Sequence, residues 1–151
     1  MYNPILRSIQ KYLDSGVKSI YLYMFSYTGG RSFSEYKENR SHTHGANHAD
    51  DLAYLFDVSF MKTLLRDEDM LIVDRMTELW TNFAKYGNPT PKPSKLVPLQ
   101  WPRVSQGKLP YLEINTELRL GSRPMHERMS FIDLLYKHIG RFHKEHLWTE
   151  E

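Results

Sequence analysis

Residues 19–27 read Ser-Ile-Tyr-Leu-Tyr-Met-Phe-Ser-Tyr, apolar or aromatic without a break from Ile20 to Phe25, and Gly29-Gly30 ends the run. A strand with one face in water alternates apolar and polar side chains. This one does not, so both of its faces need cover. Strands of that kind lie inside parallel sheets, and parallel neighbours arrive through strand–helix–strand crossovers. The remaining strand candidates, 109–114 and 117–120, joined by Asn115-Thr116, are shorter and follow a long helix and a proline-rich stretch. The local pattern therefore asks for a sheet larger than these 151 residues supply, and the simplest resolution is missing sequence upstream. The expected architecture is α/β, helix-rich with a few sheet strands.

The helices follow from periodicity. Ile5, Ile9, Tyr12 and Leu13 recur at helical spacing between Pro4 and Asp14, and Ser15-Gly16 supplies a stop. Residues 31–47 are polar and read as a long loop. A short helix is expected from Asp50 to Phe60, with Leu52, Leu55 and Phe56 on one side. The clearest helix runs from about Asp67 to Tyr86. Ile72, Val73, Met76, Leu79, Trp80, Phe83 and Ala84 form its apolar stripe, and Asp74, Arg75, Glu78 and Lys85 lie away from it. Gly87-Asn88-Pro89 ends it, since glycine suits the left-handed position after a helix and proline cannot continue one. Pro89, Pro91, Pro93, Pro98 and Pro102 make 89–107 an irregular excursion, which the large ring of Trp101 is expected to pin to the body. Helical spacing returns from Met125 to about His146 through Met129, Ile132, Leu135, Ile139 and Phe142. Trp80 and Phe83 could line a substrate gorge, but at this spacing they read as core. No internal repeat or domain linker interrupts the chain.

Composition excludes several classes of function. No run approaches the roughly 18–20 apolar residues of a membrane span. A net charge of +2, with bases scattered among acids, does not argue for nucleic acid. With no cysteine there is no disulfide or thiolate chemistry, and the redox compartment stays open. The opening Met-Tyr-Asn-Pro-Ile-Leu-Arg has no basic n-region or apolar h-region of a secretory signal, which leaves localisation undecided for a fragment.

The sharpest local feature is Gly45-Ala46-Asn47-His48-Ala49-Asp50-Asp51-Leu52-Ala53-Tyr54-Leu55-Phe56. It sets His48 on a loop after the buried strand and before a helix, at the carboxyl edge where α/β proteins build their sites. An imidazole with an ordinary pKa near ~6.5 can both take and return a proton at neutral pH. The bland alternative is an exposed loop histidine, one of seven in the chain. A third reading is zinc, held by His42, His44 and His48 with Asp50 and Asp51, although neither His-Glu-x-x-His nor a cysteine pair supports it. His138, His143 and His146 share no clean helical face and read as solvated. Asp50 and Asp51 tempt assignment as a carboxylate orienting His48. Acids in a first helical turn, however, are favoured by the macrodipole and satisfy free backbone N–H groups.

The segment Gly-x-x-His-x-Asp-Asp-Leu-x-Tyr-Leu-Phe resembles the catalytic-histidine region of the type B carboxylesterases, the cholinesterase-like serine hydrolases. Tyr21-Leu22-Tyr23-Met24-Phe25-Ser26-Tyr27 is similar to the strand before that histidine. Leu79-Trp80-Thr81-Asn82-Phe83-Ala84-Lys85-Tyr86-Gly87-Asn88-Pro89 is similar to the family's long helix and its exit. Trp101-Pro102 with Leu109-Pro110-Tyr111-Leu112-Glu113-Ile114 resembles the final strand region, and Arg128-Met129-Ser130-Phe131 the closing helix. The likeness spans roughly residues 15–137, in family order, with wording nearest to insect carboxylesterases and juvenile-hormone-esterase-like proteins.

The resemblance implies a C-terminal fragment of an α/β-hydrolase fold, with residues 1–151 forming an incomplete carboxylesterase domain. It implies hydrolysis of a small-molecule carboxylic ester by a serine, a histidine and a Glu or Asp, with no cofactor or metal. Only the histidine role transfers, to His48; the serine and the acid are expected upstream of Met1. No Gly-x-Ser-x-Gly elbow is present, and Gly30-Arg31-Ser32-Phe33-Ser34 lacks the second glycine. The oxyanion-hole glycines are not found either, since Gly29-Gly30 follows the wrong strand. A catalytically silent binding or adhesion module of the same fold is the competing expectation.

Expressed by itself, the chain is expected to be marginally stable and to aggregate, because the strand at 19–27 would expose unpaired edges and apolar faces. A sharp, cooperative melt of a monomer in calorimetry would contradict this.

Overall fold

The computed structural model describes residues 4–32, 45–57, 65–132, 134–135 and 138. Its elements are α1 (Pro4–Asp14), β1 (Tyr23–Phe25), α2 (Leu52–Leu55), α3 (Asp67–Tyr86), β2 (Pro110–Ile114) and β3 (Arg119–Ser122). Residues 126–132 are also helical. The strands form one sheet in the order β1-β2-β3. β1 and β2 are parallel, with Tyr23 beside Leu112 and Phe25 beside Ile114. β2 and β3 are antiparallel, with Tyr111 opposite Gly121. A Cβ at Gly121 would sit 2.5 Å from the Tyr111 ring, so a larger residue there would have to displace that ring.

β1 is shorter than the run 19–27, because its ladder extends only as far as its one parallel neighbour allows. Extended backbone continues beyond it: Val104 N–H donates to the Ile20 carbonyl (2.9 Å), Leu112 N–H to Leu22 (3.0 Å), and Ser26 N–H to Ile114 (3.0 Å). The other edge of β1 meets no strand among the described residues. Both faces are nevertheless covered. Tyr21, Tyr23, Phe25 and Tyr27 join Ile72, Met76 and Leu79 of α3, together with Leu112 and Ile114. Ile20 and Leu22 turn the opposite way, onto Leu6, Ile9 and Leu13 of α1 with Val104, Leu109 and Tyr111. A period of two along the strand thus separates two apolar clusters.

α3 has the bounds its periodicity predicts. Ile72, Met76 and Leu79 are fully buried, each contributing roughly 1.5–3 kcal/mol of transfer free energy. Its far end departs from the expected stripe, since Phe83 is 43% exposed and Ala84 is exposed. Gly87 closes the helix at φ 61°, its N–H donating to the Phe83 carbonyl at 2.8 Å. Arg75 is more than a surface charge. Its guanidinium donates to the carbonyls of Leu96 (2.9 Å), Asn115 (3.3 Å) and Thr116 (2.7 Å), tying the β2–β3 turn to the helix. That turn takes up residues 115–118, so β3 begins at Arg119, two residues later than the sequence suggested.

α2 is likewise shorter than the expected 50–60, and residues 58–64 lie outside the described ones. Its inward face also differs: Ala53 and Tyr54 are buried, while Leu52 and Phe56 are largely exposed. The entry explains the rotation. Leu52, Ala53 and Tyr54 N–H groups donate to carbonyls three residues back, a tighter winding than the α-helix assumed for the face assignment. Of the expected 125–146 helix, Met129 is half-buried and His138 exposed, while Ile139, Phe142, His143 and His146 lie outside the described residues.

The proline-rich excursion is held by Trp101. Its ring meets Tyr21 and Tyr23 edge-on, with centroids at 5.6 and 6.3 Å, and its indole N–H donates to the Leu22 carbonyl at 3.1 Å. Its backbone N–H donates to Thr90 Oγ1 at 2.8 Å, closing the loop on itself. Trp101→Ala should therefore lower unfolding free energy by about 3–5 kcal/mol, read as a lower denaturant midpoint at unchanged slope.

Candidate functional site

The candidate residues lie between Gly45 and Asp51, ahead of α2. Asp50 N–H donates to the Asn47 carbonyl at 3.2 Å, closing a turn with His48 second and Ala49 third. Ala49 has φ 69°, the left-handed value that the third position of a type II turn requires and glycine ordinarily supplies. Such strain is held only where the surroundings over-determine the backbone. His48 is exposed, and no hydrogen bond or ion pair to another described residue holds its ring.

The two acids after His48 face away from it in chemical terms. Asp50 is completely buried, and its Oδ2 accepts from Ser32 Oγ (2.7 Å) and from Asn47 N–H (2.8 Å). Asp51 accepts from the Tyr23 hydroxyl at 2.7 Å. Asp51 occupies the N-cap of α2 in helical conformation without a side-chain cap bond, so its tie is to the strand rather than to the helix end. Ser32 is itself completely buried against Asp50 and is not presented as a nucleophile.

Beneath the loop lies a carboxylate that the sequence pattern did not single out, Asp69 in the first turn of α3. Asp69 is fully buried and gathers donors from separate segments. Its Oδ1 accepts from the Tyr27 hydroxyl (3.0 Å), Gly30 N–H (2.9 Å) and the Tyr54 hydroxyl (3.3 Å). Its Oδ2 accepts from Arg66 N–H (3.0 Å) and Nε (3.4 Å). Burial opposes its ionisation, but the Arg66 N–H, the Tyr27 hydroxyl, the Gly30 N–H and the Arg66 charge outweigh it. The carboxyl is held below its ordinary value of 3.8. Burial, and then the bonds to carboxylates, push the Tyr23 and Tyr27 hydroxyls well above the usual tyrosine range, so both stay protonated donors. A sequence signal existed: Gly29-Gly30 after an aromatic strand marks a backbone that something must approach closely. A Cβ at Gly29 would overlap the Asp69 carboxylate and the Tyr27 ring.

The other candidates separate from this site. Trp80 packs edge-on against Tyr23 at 5.0 Å and Phe83 against Tyr21 at 5.9 Å. With Leu79, Pro89 and Trp101 they line an apolar cavity of about 180 Å³. They are thus not wholly core, and Tyr23, which lines the same cavity, is the residue that donates to Asp51. His42 and His44 lie outside the described residues, and no metal-holding cluster of His, Cys, Asp or Glu occurs among the described ones. No helix among the described residues is long and apolar enough to cross a membrane.

Residues 1–132 match the model of the carboxylesterase family. The chain belongs to that family. Its members are ester hydrolases, and the relatives agree. Juvenile hormone esterase of Tribolium castaneum is 39% identical over 96 residues, covering 60% of this chain and 16% of the relative. Bile salt-activated lipase of Bos taurus is 37% identical over 89 residues, covering 58% of this chain and 15% of the relative. The structure of Manduca sexta juvenile hormone esterase with OTFP covalently attached superposes with TM-score 0.60 at 32% identity. It covers 78% of this chain and 23% of that one. A PNB esterase structure matches at TM-score 0.53 and 21% identity, over 73% of this chain and 20% of that one, which shows the fold alone. The carboxylesterase fold here is thus the α/β-hydrolase fold, and this chain spans less than a quarter of the length of these relatives.

The depressed Asp69 pKa sets a pH signature. A carboxyl whose folded pKa lies below its unfolded one stabilises fully above the unfolded value. That stability is lost as pH falls from about 3.8 through the lower folded value. Asp69→Asn should be less stable than wild type at pH 7, and the gap should close as urea midpoints are followed downward through that window. A gap independent of pH would show that the charge of Asp69 contributes nothing.

Proposed function

We propose that this chain is the C-terminal part of a serine carboxylesterase and that His48 is the general base of its Ser-His-Glu/Asp triad. One observation carries the reading. In a chain of the carboxylesterase family, an exposed imidazole stands on a tight turn, within Gly45-Ala46-Asn47-His48, that Asp50 ties to Ser32 in the residues following the parallel strand β1. The substrate is a small carboxylic ester. His48 takes the proton of a serine hydroxyl as that oxygen attacks the ester carbonyl, and gives it to the departing alkoxide. It then repeats both steps with water to release the acid.

The nucleophile, the orienting acid and the oxyanion-hole donors come from sequence upstream of Met1. Support lies in the absence of a Gly-x-Ser-x-Gly run from these residues and in the small share of each relative that the chain spans. Asp50 and Asp51 are engaged with Ser32, Asn47 and Tyr23, which favours an acid from elsewhere. The isolated chain is therefore without triad-dependent turnover, since a base with no serine has nothing to activate.

In the complete protein, His48→Ala should lower kcat on a p-nitrophenyl ester by at least about 10⁴-fold and abolish labelling by an organophosphate serine probe. Near-wild-type turnover in that variant would remove His48 from the mechanism. A complete wild-type protein that neither turns over esters nor takes up the probe would instead be a silent binding or adhesion member of the fold.

A further inference from the structure

We propose that Asp50, braced by Ser32, is a positioning residue for His48: it locks the turn that aims the imidazole, and its part is that of a hydrogen-bond acceptor. The inference rests on the reading of His48 as the base. Two donors converge on one oxygen, Asp50 Oδ2, which takes the Ser32 hydroxyl at 2.7 Å and the Asn47 N–H at 2.8 Å. The Asp50 N–H returns to the Asn47 carbonyl at 3.2 Å, so the first and fourth residues of the turn hold each other in both directions. His48 lies between them, and the strained Ala49 at φ 69° is the residue such a clamp must restrain. Ser32 is fixed in its turn, with its N–H on the Gly29 carbonyl at 3.0 Å, next to the Gly30 N–H held by Asp69.

A continuous chain of contacts therefore runs from Asp69 through the loop 29–32 to Asp50 and so to the backbone on each side of His48. Both Asp50 and Ser32 are completely buried, so the bond between them does not compete with water. The connection spans 18 residues of sequence, and this bond brings its two ends together. A general base must meet its proton within hydrogen-bonding reach, and a displacement of about 1 Å costs on the order of 100-fold in rate. An exposed ring without a hydrogen bond or ion pair of its own to a described residue depends on its backbone for that placement.

The test uses the complete protein with a p-nitrophenyl ester, and compares Asp50→Ala, Asp50→Asn, Ser32→Ala and His48→Ala. Asp50→Ala should lower kcat by about 100-fold and Ser32→Ala by about 10-fold, with KM changed less than about twofold. Asp50→Asn retains an acceptor oxygen where Oδ2 sits, and should recover most of the rate with the wild-type pH profile. If Asp50→Asn is as slow as Asp50→Ala, or moves the pH profile, the charge matters and the positioning role is overturned. If Asp50→Ala does not fold, Ser32→Ala decides, and a wild-type kcat there overturns the proposal. Should His48→Ala keep its activity, the reading of His48 itself has failed. Loss in His48→Ala alone, with folded and fully active Asp50→Ala, overturns only the positioning role.

Discussion

The Asp69 carboxylate gathers donors from segments that are mostly distant in sequence and that the apolar core also packs together. Tyr27 and Gly30 come from the end of the strand and its exit loop, Tyr54 from α2, and Arg66 from the start of α3. A buried carboxylate with no donors would not stay charged, because desolvation costs several kcal/mol. With five donor groups it stays ionised and fixes the place of every element that supplies one. The arrangement is cooperative in the plain sense that removing the acceptor strands several buried donors at once. Gly29 has no side chain because that carboxylate needs the space.

Around this anchor the apolar packing sets a frame. The extended stretch from Ile20 to Tyr27 sends alternate side chains to α3 and α1, and Trp101 ties a proline-rich segment to the same stretch through its ring and its indole N–H. The strand is consequently held on both faces. Three acids extend this hold: Asp69 to the exit loop, Asp50 to the turn, and Asp51 to the strand through the Tyr23 hydroxyl. Rigid backbone beneath an exposed imidazole is what a proton-transfer residue needs, since its work is done at hydrogen-bond distance.

Much of the site was legible because its markers are local. A glycine three residues before His48, acids after it and an apolar helix start all fall within Gly45 to Phe56. Less legible was the part played by the acids. Reading Asp50 and Asp51 as helix-end charges follows from one-dimensional neighbours, whereas their donors include Ser32 and Tyr23, far back along the chain. Similarly, the face of α2 was misassigned because a tight, three-residue winding at its start cannot be told from an α-turn by spacing alone. Phe83 looked like core for the same reason: periodicity reports which side of a helix it lies on, not how far the covering layer extends.

The sequence by itself determined the long helix, its glycine end, the two-faced strand and the histidine's place after it. These depend on periods and stop signals a few residues long, within which the chain's own geometry is decisive. Tertiary structure decided where β3 starts, which residues of α2 point inward, and which donors the buried carboxylates accept. Those outcomes depend on groups such as Arg75 with the Asn115 and Thr116 carbonyls, or Ser32 with Asp50, that meet only once distant segments are packed together. A hydrogen bond is short and directional, so its partners are fixed by three-dimensional placement that no local pattern encodes.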